Sequence, residues 1–438
     1  MQERFYKLAD ELIARLQGEE VLLLSFSGEE SDFARFNRSA IRQAGAVAQQ
    51  ELSIELIRGQ RHVRSVCTLA GQGEIDGPRT AAALEEARER LPHVPEDPHL
   101  LYATEVRSGE AIGQRKLPDR GDVVDAVLVA GVGRDLVGLY AGGGIFAGFA
   151  NSLGQRNWFS TYTFHLDWSF YHAGDKAVKS SFAGFEWDEE AFSRKVATAA
   201  EQLAILSRPP RTIQPGEYRV YLTPGALREF VQTIGWGGFG LKSHRTKSTS
   251  LLKMIEEGAA LHAGVTLREN TAEGMAPNFT DKGFVKPDAV TLIERGQYKD
   301  CLVSPRSAKE YGAQANAGGE YPQSLDMAAG EVDASEILER LGDGIYVNQL
   351  WYLNYSDRPA CRITGMTRFA TFWVEGGEIA APLNVMRFDE TAYRVLGGNL
   401  LGLTAERELL PSGETYGCRS TDSARLPGVL VKDFRFTL

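Results

Sequence analysis

The sequence predicts an α+β chain in three parts, mixing helices and strands throughout, with the last part largely antiparallel. Two observations carry that expectation. First, short runs rich in β-branched and aromatic residues follow one another at 345–353, 366–374 and 379–388, separated by polar or Gly-rich breaks, as consecutive strands do. Second, Pro-rich, poorly periodic stretches at 92–100 and 208–215 divide the 438 residues, and helical periodicity sits beside strand-like runs on either side of each. The expected parts are an N-terminal α/β domain at 1–95, a central domain at 100–208 and a β-rich C-terminal domain at 214–438.

In chain order, Phe5, Leu8, Ala9, Leu12, Ile13 and Leu16 fall at i, i+3, i+4 spacing, which is one face of a helix. A strand at 21–26 follows. Leu52, Ile54 and Leu56 alternate before Gly59 and Gln60 turn the chain into 62–68, which predicts a hairpin with one buried face. A second helix spans 81–91. The Val, Leu and Ala content of 123–130 fits either a helix or a buried strand. The Gly-rich run Ala141-Gly142-Gly143-Gly144 lacks the GxxxxGK[ST] of a phosphate loop and is read as a bend connecting strands. His165 and Asp167 share a face of a strand or hairpin at 158–171. Three convergent metal ligands do not arise from that pattern, so they are read as polar sheet-face residues. A helix at 186–207, capped by Asp188 and striped with Phe192, Val196, Ala199, Leu203 and Leu206, ends at Pro209-Pro210. A strand at 218–222 leads to Pro224, which opens a helix continuing to Ile234. Short helices are expected at 248–257 and 335–341, and an exposed loop at 312–330.

Hydrophobic residues make up 43% of the chain and charged residues 24%, an ordinary globular balance. The net charge of −10 argues against holding nucleic acid by phosphate neutralisation. Met1 to Leu16 is amphipathic and carries acids, so neither a signal peptide nor a membrane span is expected, and the chain is read as cytoplasmic. Cys67, Cys301, Cys361 and Cys418 are scattered without a CxxC pair, which indicates neither a disulfide framework nor a zinc ribbon. There is no GxSxG elbow and no HExxH. Ser250 to Lys253 matches SxxK without its companion strings, and GLKSHRTKSTS reads as a polar loop.

The most informative stretch is 343–389. Besides its apolar runs and the Glu375-Gly376-Gly377-Glu378 turn, it carries Asn348, Asn354, Asp357, Arg362, Thr364, Arg368, Glu375, Asn384 and Arg387, more polar residues than a core sheet requires. The string TGMTRFATFWVEGGEIAAPLNVMRFDE, preceded by YLNYSD, resembles the C-terminal domain of the TldD/PmbA family. That is a family of peptidases also named as modulators of DNA gyrase. Upstream strings resemble it in the same order: Asn151-Ser152-Leu153-Gly154, Ser180-Ser181-Phe182-Ala183-Gly184-Phe185, and Pro215 to Pro224.

The family contains zinc-bearing and zinc-free chains. In zinc-bearing members, the helix after the Pro carries HExxxH. Two histidines bind zinc, the Glu polarises the attacking water, and a Cys near the C-terminus adds a third ligand. Aligned from Pro224, those positions fall near Gln232, Thr233 and Gly237, and a one-residue shift brings in Val231 or Trp236. None is a ligand that zinc selects. Cys418 lies where the ligand Cys is expected and reads as an ordinary thiol.

The resemblance therefore implies a zinc-free, PmbA-like (TldE-type) subunit with no catalytic residues and no cofactor of its own. Zinc is expected only in a TldD-like partner, and unfolded peptides are the expected substrate. Asn354, Thr364, Arg368 and Arg387 are the expected peptide-binding residues, with strand addition as one mode. A homodimer is the alternative assembly. A non-enzymatic binding or assembly protein and a self-sufficient hydrolase with an unrecognised site are the alternative functions. No nucleic acid or membrane partner is expected.

Overall fold

The computed structural model describes residues 1–174 and 176–437. Its first half contains α1 (Gln2–Ile13), β1 (Val21–Asn37), β2 (Ala40–Arg58), β3 (Arg61–Thr68), α2 (Gly73–Arg90), β4 (Gly109–Ile112), α3 (Arg120–Gly131), β5 (Asp135–Asn151), β6 (Arg156–Ala173), β7 (Lys176–Gly184) and α4 (Glu189–Leu206). Then come β8 (Gly216–Leu222), α5 (Pro224–Gly235), α6 (Leu241–Arg245), α7 (Leu252–Glu256), β9 (Leu267–Asn270), β10 (Ala289–Glu294), β11 (Gln297–Tyr298), α8 (Pro305–Tyr311), β12 (Ser324–Met327) and α9 (Ile337–Leu341). The last elements are β13 (Gly344–Asp357), β14 (Arg362–Glu375), β15 (Glu378–Pro382), β16 (Arg387–Thr391), β17 (Leu400–Pro411) and β18 (Ser423–Phe436). Helices and mostly antiparallel sheets together make the fold α+β, as the sequence predicts.

The strands β1 to β7 form one sheet in the order β3-β2-β1-β5-β6-β4, with β7 also on β6. Strands from both sides of the expected linker at 92–100 therefore share a sheet, because β1 pairs along its length with β5. The even-numbered residues of β1 face the helices. Leu22, Leu24 and Phe26 pack under α1 and α2, while Ala34 and Phe36 join the aromatic core of β6 and β7 under α3 and α4. Asp188 caps α4 by accepting from the Ala191 amide at 2.9 Å, as expected from its position. The undecided run at 123–130 is helical and lies in α3.

The opposite face of this sheet is polar yet largely buried. Glu29 and Ser31 on β1, and Thr161, Thr163 and His165 on β6, are each less than 9% exposed. Polar groups are hidden there because the C-terminal part lies over them. The Gly-rich run is not a bend between strands but the interior of β5. A Cβ on Gly143 would stand 2.0 Å from the Glu30 carbonyl oxygen, so glycine permits the close pairing of β5 with β1.

The second sheet has eleven strands, ordered β11-β10-β9-β12-β18-β16-β14-β13-β8, with β15 on β14 and β17 on β18. Because β8 pairs with β18 as well as β13, the path β18-β16-β14-β13-β8 closes on itself. Its core includes Val220, Leu222, Ile345, Val347, Ile363, Phe388, Val429 and Val431, on which the apolar stripe of α5 packs. Gly376 and Gly377, at φ +58° and +81°, make the expected hairpin turn between β14 and β15. The loop expected at 312–330 is only partly that. Ser324–Met327 is buried as β12 and pairs parallel to β18, a long-range partner that local composition does not reveal.

Candidate functional site

Helix α5 packs on the second sheet and borders a cleft that residues of β6 and β7 also line. Thr223 caps it by accepting from the Ala226 amide at 3.2 Å, and the Thr223 hydroxyl donates to the Asn348 carbonyl of β13 at 2.7 Å. Pro224 then supplies the first helical position, where a missing N–H costs nothing. Leu227, Phe230, Val231 and Ile234 are buried against the second sheet. Burying Phe230 completely stabilises this docking by roughly 2–3 kcal/mol. Arg228 and Glu229, which interrupt the apolar pattern, line the cleft instead.

Three cavities join there. The largest, about 840 Å³, is lined by Asp167, Lys179, Arg228, Glu229, Asn348 and Gln349 among others. Asp167 and Lys179 also line a 370 Å³ cavity bordered by Arg35, Arg42 and Phe369. Arg228 also lines a 210 Å³ cavity walled by Val231, Gln232, Trp236, Tyr321, Pro322 and Leu325. The result is a trough between the sheets, with charges of both signs at its centre. Lys195 and Glu408 pair across it at 2.9 Å. Asp167, Lys179, Arg228 and Glu229, by contrast, have no ion-pair partner within 4.0 Å among the described residues, although the other three lie near enough to act on the Glu229 carboxyl. Burial is the main cause raising the Glu229 carboxyl above its usual range, with Arg228 and Lys179 opposing it. Burial, then Arg419, pushes the His165 imidazole down to about 4.

Beside the trough, the loop between β17 and β18 is pinned to the polar face of the first sheet. The Arg419 guanidinium donates to the Ser31 hydroxyl at 3.2 Å, the Gly143 carbonyl at 3.3 Å, and the Thr163 carbonyl and hydroxyl at 2.9 and 2.8 Å. The Gln49 amide donates to the Gly417 carbonyl at 2.6 Å. Cys418, between these anchors, is exposed, and burial followed by Glu29 and Glu51 raises its thiol pKa.

The residues expected to hold peptide lie elsewhere, on the sheet formed by β13, β14 and β16. Asn354 stands opposite Thr364, and Met366 opposite Arg387. Asn354 Oδ1 accepts from the Tyr355 amide, while the Thr364 hydroxyl donates to the Phe388 carbonyl. The Arg368 guanidinium lies 4.6 Å from the centre of the Trp351 ring, and Arg387 is exposed. None of the four lines the trough. From the same stretch, Asn348 and Gln349 do reach it. The residues that line its centre, Asp167, Lys179, Arg228 and Glu229, were not singled out as a site by sequence reasoning. The adjacent charges of Arg228 and Glu229, set in an otherwise apolar helix, are the signal that was available.

A zinc ion does not fit α5. Gln232 is exposed on the cavity wall, and the Thr233 hydroxyl is buried and donates to the Glu229 carbonyl at 2.9 Å. Gly237 has no side chain and turns the chain at φ +79°. Of the shifted pair, Val231 is apolar and the Trp236 indole is a donor only. Among the described residues no group of three or more His, Cys, Asp or Glu is placed to hold a metal.

The family model of the PmbA/TldA metallopeptidase C-terminal domain matches residues 215–438. The chain belongs to the TldD/PmbA family. Its fold is similar to that of TldE from Thermococcus kodakarensis, at 14% identity and TM-score 0.77 over 100% of both chains. It is similar also to a proposed modulator of a DNA gyrase from Thermotoga maritima, at 15% identity and TM-score 0.77, covering 99% of this chain and 100% of that one. A third similar structure, a proposed modulator of DNA gyrase from Bacteroides thetaiotaomicron, has 15% identity and TM-score 0.71, covering 99% and 98%. Comparison with curated proteins gives no match. At these identities the structures speak for the fold, and the family match covers the C-terminal side of the trough, α5 included. No helix among the described residues is long and apolar enough to cross a membrane.

Proposed function

We propose that this chain is a zinc-free, TldE-type subunit that binds unfolded peptide in its trough and relies on a zinc-bearing TldD-like partner for hydrolysis. The observation that carries the proposal is the contrast within α5. The positions where the resemblance places the ligands of zinc-bearing members, late in the helix and just beyond it, hold Gln232, Thr233 and Gly237, whereas the start of the helix opens onto an 840 Å³ cleft in which Arg228 and Glu229 have no ion-pair partner among the described residues. Metal-assisted hydrolysis needs an open metal position and a base, and this donor set supplies neither. An extended peptide carries a donor and an acceptor at each residue and charges of either sign, which suits a mixed-charge trough.

The exposed face of β13, β14 and β16 is the proposed surface for a partner or for a peptide on its way to the trough. Trp351 and Tyr352 are 47% and 76% exposed there, next to Asn354, Thr364, Arg368 and Arg387. An assay of unfolded peptides with this chain, with the zinc-bearing relative and with both tests the proposal. Cleavage that rises markedly only when both chains are present is the expected result. Equal cleavage by the relative with and without this chain overturns the subunit reading.

A further inference from the structure

The 210 Å³ cavity at the end of the trough has a composition that the cleft as a whole does not. Its walls are mostly apolar or aromatic: Val231, Trp236, Tyr321, Pro322, Leu325 and Ala424. Trp236 and Tyr321 are 50% and 58% exposed, so two large aromatic side chains are left facing open space. Its volume lies below the ~300–1,000 Å³ typical of whole-ligand clefts, so it suits one side chain rather than a complete small molecule. At the junction with the larger cleft stands Arg228. Its guanidinium has no carboxylate within 4.0 Å and no hydrogen-bond acceptor among the described residues. A planar fork of donors without an acceptor, beside an apolar cavity, is complementary to a carboxylate attached to an apolar group. Asp422, also on the wall, does not neutralise it. Burial raises the Asp422 pKa, and the cation acting on Asp422 is Lys286.

We infer that this cavity receives the C-terminal residue of a peptide, with the terminal carboxylate on Arg228 and an apolar or aromatic side chain between Trp236 and Tyr321. The rest of the peptide then extends into the 840 Å³ cleft, past Glu229, Asn348 and Gln349. The inference rests on the reading of the trough as a peptide site, but needs neither the partner nor the absence of zinc. Chain polarity follows from it, since a peptide anchored at its C-terminus enters the cleft in one direction only.

Calorimetric titration with three N-acetylated peptides tests it: Ala-Ala-Phe as the free acid, the same sequence as the C-terminal amide, and Ala-Glu-Phe amide. The free acid should bind ~10-fold or more tightly than either amide, the scale of a charge-assisted bidentate contact. Arg228→Met should abolish that preference while leaving the melting temperature unchanged, and Trp236→Ala should weaken the acid and the amide alike. Equal binding of acid and amide overturns the terminal-carboxylate site but leaves the peptide reading standing. Tight binding of the Glu-containing amide assigns Arg228 to acidic side chains and likewise overturns it. Absence of binding by all three contradicts the peptide reading of the trough itself.

Discussion

Arg419 and Arg228 both lie where the C-terminal part meets the polar face of the first sheet, yet their surroundings differ in kind. Arg419 is 5% exposed and donates to two hydroxyls and two carbonyls from three strands, while its own amide donates to the buried Glu29 carboxylate at 3.3 Å. Arg228 is half-buried with no such partners and opens onto two cavities. A guanidinium that makes four hydrogen bonds to three strands holds the two sheets together. One whose donors are free is available to a ligand. The seam therefore fixes the geometry of the trough, and the trough remains receptive.

Substitution of Arg419 should break the seam with the largest effect. Arg419→Met removes the four guanidinium hydrogen bonds and leaves the buried acceptors on Ser31 and Thr163, and the Gly143 carbonyl, without that donor, which should cost about 2–4 kcal/mol in denaturant unfolding. Arg228→Met should change stability by less than ~0.5 kcal/mol, because its guanidinium makes no hydrogen bond or ion pair among the described residues and acts on the Glu229 carboxyl only at longer range. Equal losses would erase the distinction between the two arginines.

His165 sharpens the comparison through pH. Its folded pKa, about 4, lies below the ordinary 6.5, so the unfolded state takes up its proton first as pH falls. Stability from this group is full above pH 6.5 and is lost between 6.5 and about 4, a loss of roughly 3 kcal/mol. The stability difference between wild type and His165→Gln isolates this residue from the carboxyls that titrate in the same window. That difference should shrink as the pH falls from 7 to 4. A difference independent of pH would mean that the imidazole is accessible to protons in the folded state.

Much of the architecture was legible because it is local. The cap at Asp188, the stripe of α4, the Gly376-Gly377 turn and the strand-helix step at Pro224 follow from residues adjacent in sequence. Longer relationships were not. The outer half of β2, residues 40–48, is exposed and has no apolar alternation to betray it, since it is held by pairing with β1 rather than by burial. Gly142 to Gly144 looked like a bend because the strand they must approach lies more than a hundred residues away. The site was hidden for the same reason. Asp167 and Lys179 come from β6 and β7, and Arg228 and Glu229 from α5, so their convergence is a property of the packed sheets. The polar residues Asn354, Thr364, Arg368 and Arg387 were conspicuous in the sequence, but they share an outer face away from the trough.

The smallest effect is expected on that outer face. Arg368→Met removes a cation–π contact with Trp351, worth about 0.5–1 kcal/mol at a partly exposed site. Its melting temperature should therefore change little, while binding of peptide or partner weakens. A stability loss as large as that of Arg419→Met would make Arg368 another structural arginine and withdraw this face from the proposed function.

The division between a fixed seam and a receptive trough without catalytic ligands is tested most directly by incubating the purified chain, alone and supplied with zinc, with an unfolded peptide and following the peptide by mass spectrometry. The account predicts an intact peptide at every time point. Fragments that accumulate with zinc and disappear with a chelator would contradict it.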